Sequence, residues 1–201
     1  MHIVSLPNVR TQFERMFREF GMPAKIRTDN GAPFAGVGLG GLSRLSAWWI
    51  RLGIIPERIR PGHPEENGRH ERMHRTLKAA TAAPPRRTFP LQQASFAAFR
   101  REFNHDRPHE ALGMQTPEEC YRPSDRRFPS RLPEIEYGPG YEQRRVRNRG
   151  YIKWGGELLF ISEALVGEFV GLRQIDNDLW TIYYGPLLLG AVDDAHVIKN
   201  V

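Results

Sequence analysis

Only two short strand-like segments, residues 24–28 and 54–59, interrupt the helical patterns of the first 127 residues. Amphipathic helices are predicted at residues 11–20 and 41–53, so helix and strand alternate. This alternation indicates an α/β layer rather than a helical bundle. Because a two-stranded sheet is marginally stable alone, we expect that another chain completes it or that the domain is cut short.

Each of these helices carries one apolar face. The predicted inward residues are Phe13, Met16, Phe17 and Phe20 in the first helix and Leu42, Leu45, Trp48, Trp49 and Leu52 in the second. Paired tryptophans on such a face indicate core packing rather than platforms on which nucleic-acid bases stack. Two further helices are predicted, one over residues 67–83, closed by Pro84 and Pro85, and one over residues 91–106.

The composition and the residue pattern of the sequence change after residue 127. Residues 128–142 are rich in proline and glycine, have no period and are predicted to form a linker. Residues 143–201 consist of short runs of β-branched and aromatic residues separated by turn-forming pairs. That pattern predicts a small antiparallel barrel of about five strands. We therefore expect an α/β domain over residues 1–127 and an all-β domain over residues 143–201.

The charge of the chain is concentrated in its first part. The net charge is +6, and residues 143–201 hold seven basic and seven acidic residues, so the whole excess lies in residues 1–142. Most basic residues there are arginines, whose planar guanidinium suits phosphate recognition, although a solubilising surface would give the same net charge. The single cysteine, Cys120, excludes an internal disulfide framework, and no long apolar run is present. We therefore expect a soluble intracellular protein.

The third predicted helix places an acid among cations. At about 100° per residue, Asn67, His74, Arg75 and Lys78 fall within roughly 60° of Glu71. The opposite face, which should pack, consists of Met73, Thr76, Leu77 and Ala80. A solvated surface helix would show the same pattern, so the wheel alone leaves a structural and a functional interpretation open.

The segment around this helix carries a longer signature. "RPGHPEENGRHERMHRTLK" (residues 60–78), with "TDNG" (residues 28–31) upstream after a strand, resembles the catalytic core of the retroviral-integrase superfamily. The nearest likeness is to insertion-sequence transposases with an Asp-Asp-Glu triad. "FNHDRPHEALGMQTPEECY" (residues 103–121) resembles the segment that closes that core, and the final β region resembles a Mu-transposase-like β-barrel. The resemblance runs from about residue 10 to the end.

The resemblance implies a ribonuclease-H-like fold that performs DNA strand cleavage and transfer with two Mg²⁺ (or Mn²⁺) ions. One ion would activate the attacking water or 3′-hydroxyl, and the other would stabilise the leaving oxygen. Asp29 matches the second Asp and Glu71 the Glu of the triad, so both are expected metal ligands. Asn67, His74, Arg75 and Lys78 are the expected DNA-binding residues.

The implied partners are mobile-element ends and target DNA, bound by a homo-oligomer or by a mixed multimer with a full-length transposase. No membrane partner is expected, and the implied location is the cytoplasm, in association with the nucleoid. Contacts to DNA phosphates would weaken steeply with added salt.

Two departures from the family pattern affect these assignments. The family commonly has 35 residues between the second Asp and the Glu, which from Asp29 gives Glu65, whereas 41 residues lie between Asp29 and Glu71. An insertion of about six residues around "AGVGLGGLS" (residues 35–43) would explain the difference, so the motif favours Glu71 and leaves Glu65 and Glu66 as solvated acids at the helix start. In addition, no Asp occurs between Met1 and Thr28, so the first Asp of the triad is missing. We therefore expect the C-terminal portion of a transposase, inactive alone, or else a non-catalytic DNA-binding remnant.

Two other interpretations compete. "HERMH" satisfies the H-E-x-x-H motif of zinc peptidases, in which His70 and His74 would bind Zn²⁺ and Glu71 would act as base. That motif requires a third ligand, for which Glu102 is the only acid on the next helix that we can name. "TDNG" can also form a plain turn at Asp29, but a predicted helix rather than a returning strand follows it.

Overall fold

A computed structural model describes residues 6–60, 62–82, 84–193 and 198–199, which form a mixed α/β structure. Its α-helices are α1 (Leu6–Phe20), α2 (Arg44–Arg51), α3 (Gly68–Thr81), α4 (Phe89–Arg101) and α5 (Pro117–Cys120). Its strands are β1 (Lys25–Thr28), β2 (Ile55–Arg58), β3 (Glu142–Arg145), β4 (Tyr151–Trp154), β5 (Glu157–Phe160), β6 (Phe169–Asp176), β7 (Leu179–Tyr184), β8 (Leu187–Asp193) and β9 (Ile198–Lys199).

These residues divide into two compact units. One unit is Arg60–Pro123, and the other combines the described residues up to Ile59 with those from Ser124 onward. The predicted division of the chain at residues 127 and 143 stays a prediction.

In the larger unit, β1 and β2 form a parallel pair in which Lys25 lies opposite Ile55 and Thr28 opposite Arg58. The chain passes from one strand to the other through α2, as parallel pairing requires. Both strands were predicted to within about a residue. Asp29 follows directly at the carboxyl end of β1.

Helix α2 forms for local reasons that the sequence already shows. The Ser43 side chain accepts a hydrogen bond from the Ser46 backbone N–H, and the Ser46 side chain accepts one from the Ser43 N–H, which together form a capping box. The predicted inward residues Leu45, Trp48 and Trp49 are all buried, so core packing of the tryptophans is confirmed.

Helix α1 meets α2 through fewer residues than its apolar pattern predicts. Phe17 is buried and lies 5.8 Å from the Trp48 ring, and Phe13 meets the Trp49 ring edge-on at 5.0 Å. The predicted burial of Met16 and Phe20 is wrong, because these side chains are 49% and 44% exposed. At 1.5 Å per residue, the 8-residue α2 is too short to cover one face of the 15-residue α1 along its length.

The C-terminal strands that the structure describes form a five-stranded sheet and a hairpin. Strands β3, β6, β7, β8 and β9 lie side by side in that antiparallel order, and β4 and β5 form a separate hairpin. No closed sheet occurs in the described part of the chain, so the barrel is not confirmed. The chain leaves the sheet after β3 because a turn at Asn148–Gly150, with Arg149 at φ 63°, redirects it into the hairpin.

The core of this sheet includes residues from far earlier in the chain. Leu39 and Leu42 pack in one buried cluster with C-terminal residues, among them Val192 of β8 and Ile161, which follows β5. The Leu39 N–H donates to the Ile161 carbonyl at 2.8 Å, and Ser162 Oγ donates to the Val37 carbonyl at 3.3 Å. The glycine-rich segment that the sequence suggests as an insertion is therefore docked on the C-terminal sheet.

The predicted linker, residues 128–142, has no helix or strand before Glu142, but it is packed. Phe128 and Leu132 lie against the α1–α2 core, and Ile135 lies against the sheet core. The Tyr137 hydroxyl contacts the carbonyls of Phe169 and Tyr183 at 3.0 and 3.1 Å. This segment therefore joins the two hydrophobic clusters of the larger unit.

The smaller unit is built on α3 and α4. Thr81, at the end of α3, is buried, and its carbonyl accepts a hydrogen bond from Gln92 Nε2 at 3.0 Å. Thr88 caps α4, which continues into a π-helical turn at Glu102–Asp106. The chain then reaches α5, whose first turn is closed by a capping box between Thr116 and Glu119.

Candidate functional site

Asp29 follows the end of β1, and its side chain stabilises the turn in which it lies. Its Oδ1 accepts the Gly31 backbone N–H at 3.0 Å, and the side chain is exposed. The Asn30 side chain donates to the Ile59 carbonyl at 3.0 Å, and the Ile59 N–H donates to Thr28. These bonds fix the Asp29 backbone between the ends of both strands. A loop and α2 follow, rather than the hairpin that a plain Asn-Gly turn would begin.

The turn that precedes α3 engages two acids. Glu65 and Glu66 lie in a 3₁₀ turn, Pro64–Asn67. Glu65 contacts His63 Nδ1 at 2.7 Å, and Glu66 accepts the Arg60 backbone N–H at 2.9 Å and its guanidinium. The Arg60 N–H, followed by its guanidinium, lowers the pKa of Glu66. Both acids are therefore engaged within the turn rather than simply solvated.

Glu71 lies in the first turn of α3 and belongs to its exposed face. The side chains of His70, Glu71, His74, Arg75 and Lys78 line one shallow pocket of about 360 Å³. The structure thus brings together four of the six predicted site residues. Asn67 lies in the preceding turn, and its side chain is outside the described residues.

The face opposite this pocket is only partly covered. Met73, Thr76 and Leu77 are half-buried, as expected for a packing face. Ala80 is exposed, so its predicted burial is wrong. Burial moves instead to Thr81, which the packing against α4 covers.

Arg75 and Lys78 are exposed cations that lie outside the ion pairs of the described residues. Neither forms an ion pair with any residue that the structure describes, whereas Arg10 and Lys25 are paired with Glu14 and Glu57. An exposed cation without a partner remains available for a phosphate, since no existing ion pair has to be broken. The α3 pocket therefore combines one carboxylate with two available cations.

The oxygen donors suit a hard divalent cation but do not form a complete set. The carboxylates of Asp29 and Glu71 are exposed and have the donor chemistry that Mg²⁺ and Mn²⁺ take. Asp29 and Glu71 belong to different compact units, and their convergence stays a prediction. Within residues 6–60, 62–82, 84–193 and 198–199, no three His, Cys, Asp or Glu residues form a group that could hold a metal ion.

The same finding bears on the zinc-peptidase interpretation. His70 and His74 stand one turn apart with ring centroids 4.2 Å from each other. No third ligand joins them among the described residues, Glu102 included. The geometry therefore gives the H-E-x-x-H interpretation no support.

Residues 52–117 match a family model described as the integrase core domain. The matched segment runs from the end of α2 through the first residue of α5, about a third of the chain, and includes Glu71 and the exposed cations of α3. The match supports an integrase- or transposase-like catalytic core, is consistent with a ribonuclease-H-like fold, and implies DNA as a partner. Proteins with such cores generally use divalent metals. None of the described helices has the length and apolar character needed to cross a bilayer.

Two residues of the site region, His70 and Asn30, have only a weak signal in the sequence. His70 lines the α3 pocket, although the wheel centred on Glu71 places it about 100° away. Asn30 anchors the Asp29 turn to the end of β2, and its only signal was its place in "TDNG".

Proposed function

We propose that this chain takes part in DNA strand cleavage and transfer of the transposase or integrase type. Its own contribution is the binding of DNA by α3 and the supply of two metal-binding carboxylates, Asp29 and Glu71. The observation that carries the proposal is the exposed α3 face, in which one acid lies beside two unpaired cations inside the segment that matches an integrase core.

The roles follow from charge and position. Arg75 and Lys78 would contact DNA phosphates, and His74 and Asn67 would contact the backbone beside them. Asp29 and Glu71 would hold Mg²⁺ or Mn²⁺, which when bound supplies activation of the attacking oxygen and stabilisation of the leaving one. Without bound metal, the Glu71 carboxylate would repel a phosphate in the same pocket.

We further propose that the chain binds DNA but does not cleave it alone. No Asp occurs between Met1 and Thr28, and the described residues contain no group of three acidic or other ligands. The assembly we propose is a homo-oligomer or a mixed multimer with a full-length transposase on paired DNA ends.

The DNA-binding role is tested by fluorescence anisotropy with a labelled duplex at several salt concentrations. Replacing both Arg75 and Lys78 by Ala should weaken binding and reduce the slope of log K against log salt by about 0.9 for each phosphate that the chain no longer neutralises. The matched control replaces Arg10 and Lys25, two cations already in ion pairs, by Ala. Equal effects in both double variants would show that only net charge matters and would refute the role of α3.

The role of Glu71 is tested in the same assay with and without Mg²⁺. Glu71→Gln should tighten metal-free binding, because it removes the negative charge beside the phosphate. Mg²⁺ should strengthen DNA binding by the unmodified chain more than by this variant. If Mg²⁺ acts equally on both, Glu71 is not a metal ligand. Mg²⁺-dependent nicking by the purified chain alone would contradict the proposal that the chain does not cleave DNA by itself.

A further inference from the structure

The two histidines of the α3 pocket are distinguished by the freedom of their rings. His70 and His74 are exposed, and their ring centroids are 4.2 Å apart with an interplanar angle of 45°. Neither ring forms a hydrogen bond or ion pair with a residue that the structure describes. By contrast, His63 contacts Glu65 at 2.7 Å and His109 contacts the Phe103 carbonyl at 3.3 Å.

Two imidazoles one helical turn apart are a chelating pair. Each can offer one ring nitrogen to a metal ion at about 2.0–2.1 Å, and rotation about the side-chain bonds of exposed residues can bring both nitrogens to one ion. The remaining positions would be filled by water, since the described residues contain no group of three His, Cys, Asp or Glu ligands that includes this pair. A site of this kind differs from the oxygen site expected at Asp29 and Glu71.

The donor type selects the ion. Imidazole nitrogen suits the late first-row divalent cations, whereas Mg²⁺ prefers carboxylate, carbonyl and water oxygens. Affinity for a given nitrogen site rises along the series from Mn²⁺ to Cu²⁺. Arg75 and Lys78, in the same pocket, oppose a cation, and the Glu71 carboxylate partly offsets them.

We propose that His70 and His74 form a separate binding site for a late first-row divalent cation, such as Ni²⁺, Cu²⁺ or Zn²⁺. The site shares His74 with the proposed DNA contact, but binding of the cation needs neither DNA nor Asp29, so it can be tested without either. It accepts such a cation even when Mg²⁺ is in excess.

The test is calorimetric titration of the tag-free chain with Ni²⁺ in excess Mg²⁺ and without DNA. We expect one Ni²⁺ per chain, and His70→Gln or His74→Gln should each weaken its binding by at least about tenfold, since removing even a hydrogen-bond partner of a ligand has that effect. The matched control is His105→Gln, an exposed histidine of the π-helical turn, which should leave the affinity unchanged. Equal affinities in all variants, an effect of His105→Gln as large as the others, or no binding by the unmodified chain would overturn the proposal.

A second measurement does not depend on how the variants fold. In the unmodified chain, substoichiometric Cu²⁺ should broaden the ring-proton NMR signals of two histidines, His70 and His74, before those of the others. Broadening that begins at any of the other five histidines would contradict the site. Weaker DNA binding in Arg75 and Lys78 variants would leave this result unaffected, so the two proposals can fail separately.

Discussion

A single methyl group at Gly38 would disturb the docking of the glycine-rich segment. Its φ of 111° and ψ of 179° belong to a region that is essentially restricted to glycine. A Cβ built there would lie 2.7 Å from the Ile161 carbonyl oxygen and 2.9 Å from Ser162 Cα. Gly38→Ala should therefore combine backbone strain with separation of the segment from the sheet.

Three contributions determine how much stability Gly38→Ala should remove. Strain at such a φ costs about 1–3 kcal/mol. Displacing the segment also removes the Leu39 N–H bond to Ile161, about 0.5–1.5 kcal/mol, and exposes part of the Leu39 side chain, whose full burial contributes about 1.5–3 kcal/mol. If about half of that burial is lost, we expect Gly38→Ala to lower the free energy of unfolding by about 2–6 kcal/mol in total.

The matched control is Gly156→Ala, in the β4–β5 turn of the same unit. Gly156 has φ 93°, and a Cβ there would meet nothing within 4 Å, so only the strain of about 1–3 kcal/mol should appear. Urea unfolding followed by tryptophan fluorescence gives both values. If the free energies of unfolding of the two variants differ by less than about 0.5 kcal/mol, the close contact of position 38 with Ile161 and Ser162 adds nothing to the backbone strain, and the reasoning is refuted.

Burial raises the pKa of Tyr137 to about 12, against 10 in an unfolded chain, so the free energy of unfolding should fall as pH rises above 10. Tyr137→Phe should reduce this dependence, and what remains comes from the buried Tyr184, whose pKa is also raised by burial. Because the hydroxyl hydrogen bonds are absent, the substitution should also lower that free energy by about 1–3 kcal/mol at neutral pH, as measured by urea unfolding at several pH values. Because the Arg60 backbone N–H holds the pKa of Glu66 below its usual 4.5, their hydrogen bond should persist above that pH and weaken as pH falls through the lowered value; an NMR titration in which Glu66 ionises at its usual pH would contradict this. Asn30→Ala should remove the hydrogen bond to the Ile59 carbonyl and lower the free energy of unfolding by about 1 kcal/mol. If the free energy of Mg²⁺-dependent DNA binding changes by more than this, the hydrogen bond also positions the Asp29 carboxylate.

The parts of the fold that depend on local chemistry could be predicted from the sequence. The existence of α2 follows from its apolar spacing, which predicts residues 41–53, and its actual start at Arg44 follows from the capping box of Ser43 and Ser46. The acid and cations of α3 share one face because helical periodicity places them there, and this needs no knowledge of the rest of the chain.

The parts that depend on distant partners could not be predicted in this way. Nothing near Leu39 in the sequence indicates that it packs against Ile161, because the two are joined only by the fold. Alternating runs predict strands but not whether the first and last of them pair, so an open sheet and a barrel have the same sequence pattern. The exposure of Phe20 likewise depends on the length of the neighbouring helix rather than on its own pattern.

The docking of the glycine-rich segment on the C-terminal sheet has a consequence for how related sequences can differ. A change in the length of residues 35–43, or a bulky residue at position 38, would need an accommodating change more than a hundred residues later, around Ser162 and Leu189. In a set of relatives, these positions should therefore vary together. Those with a shorter segment should also differ along the strand that begins at Leu187.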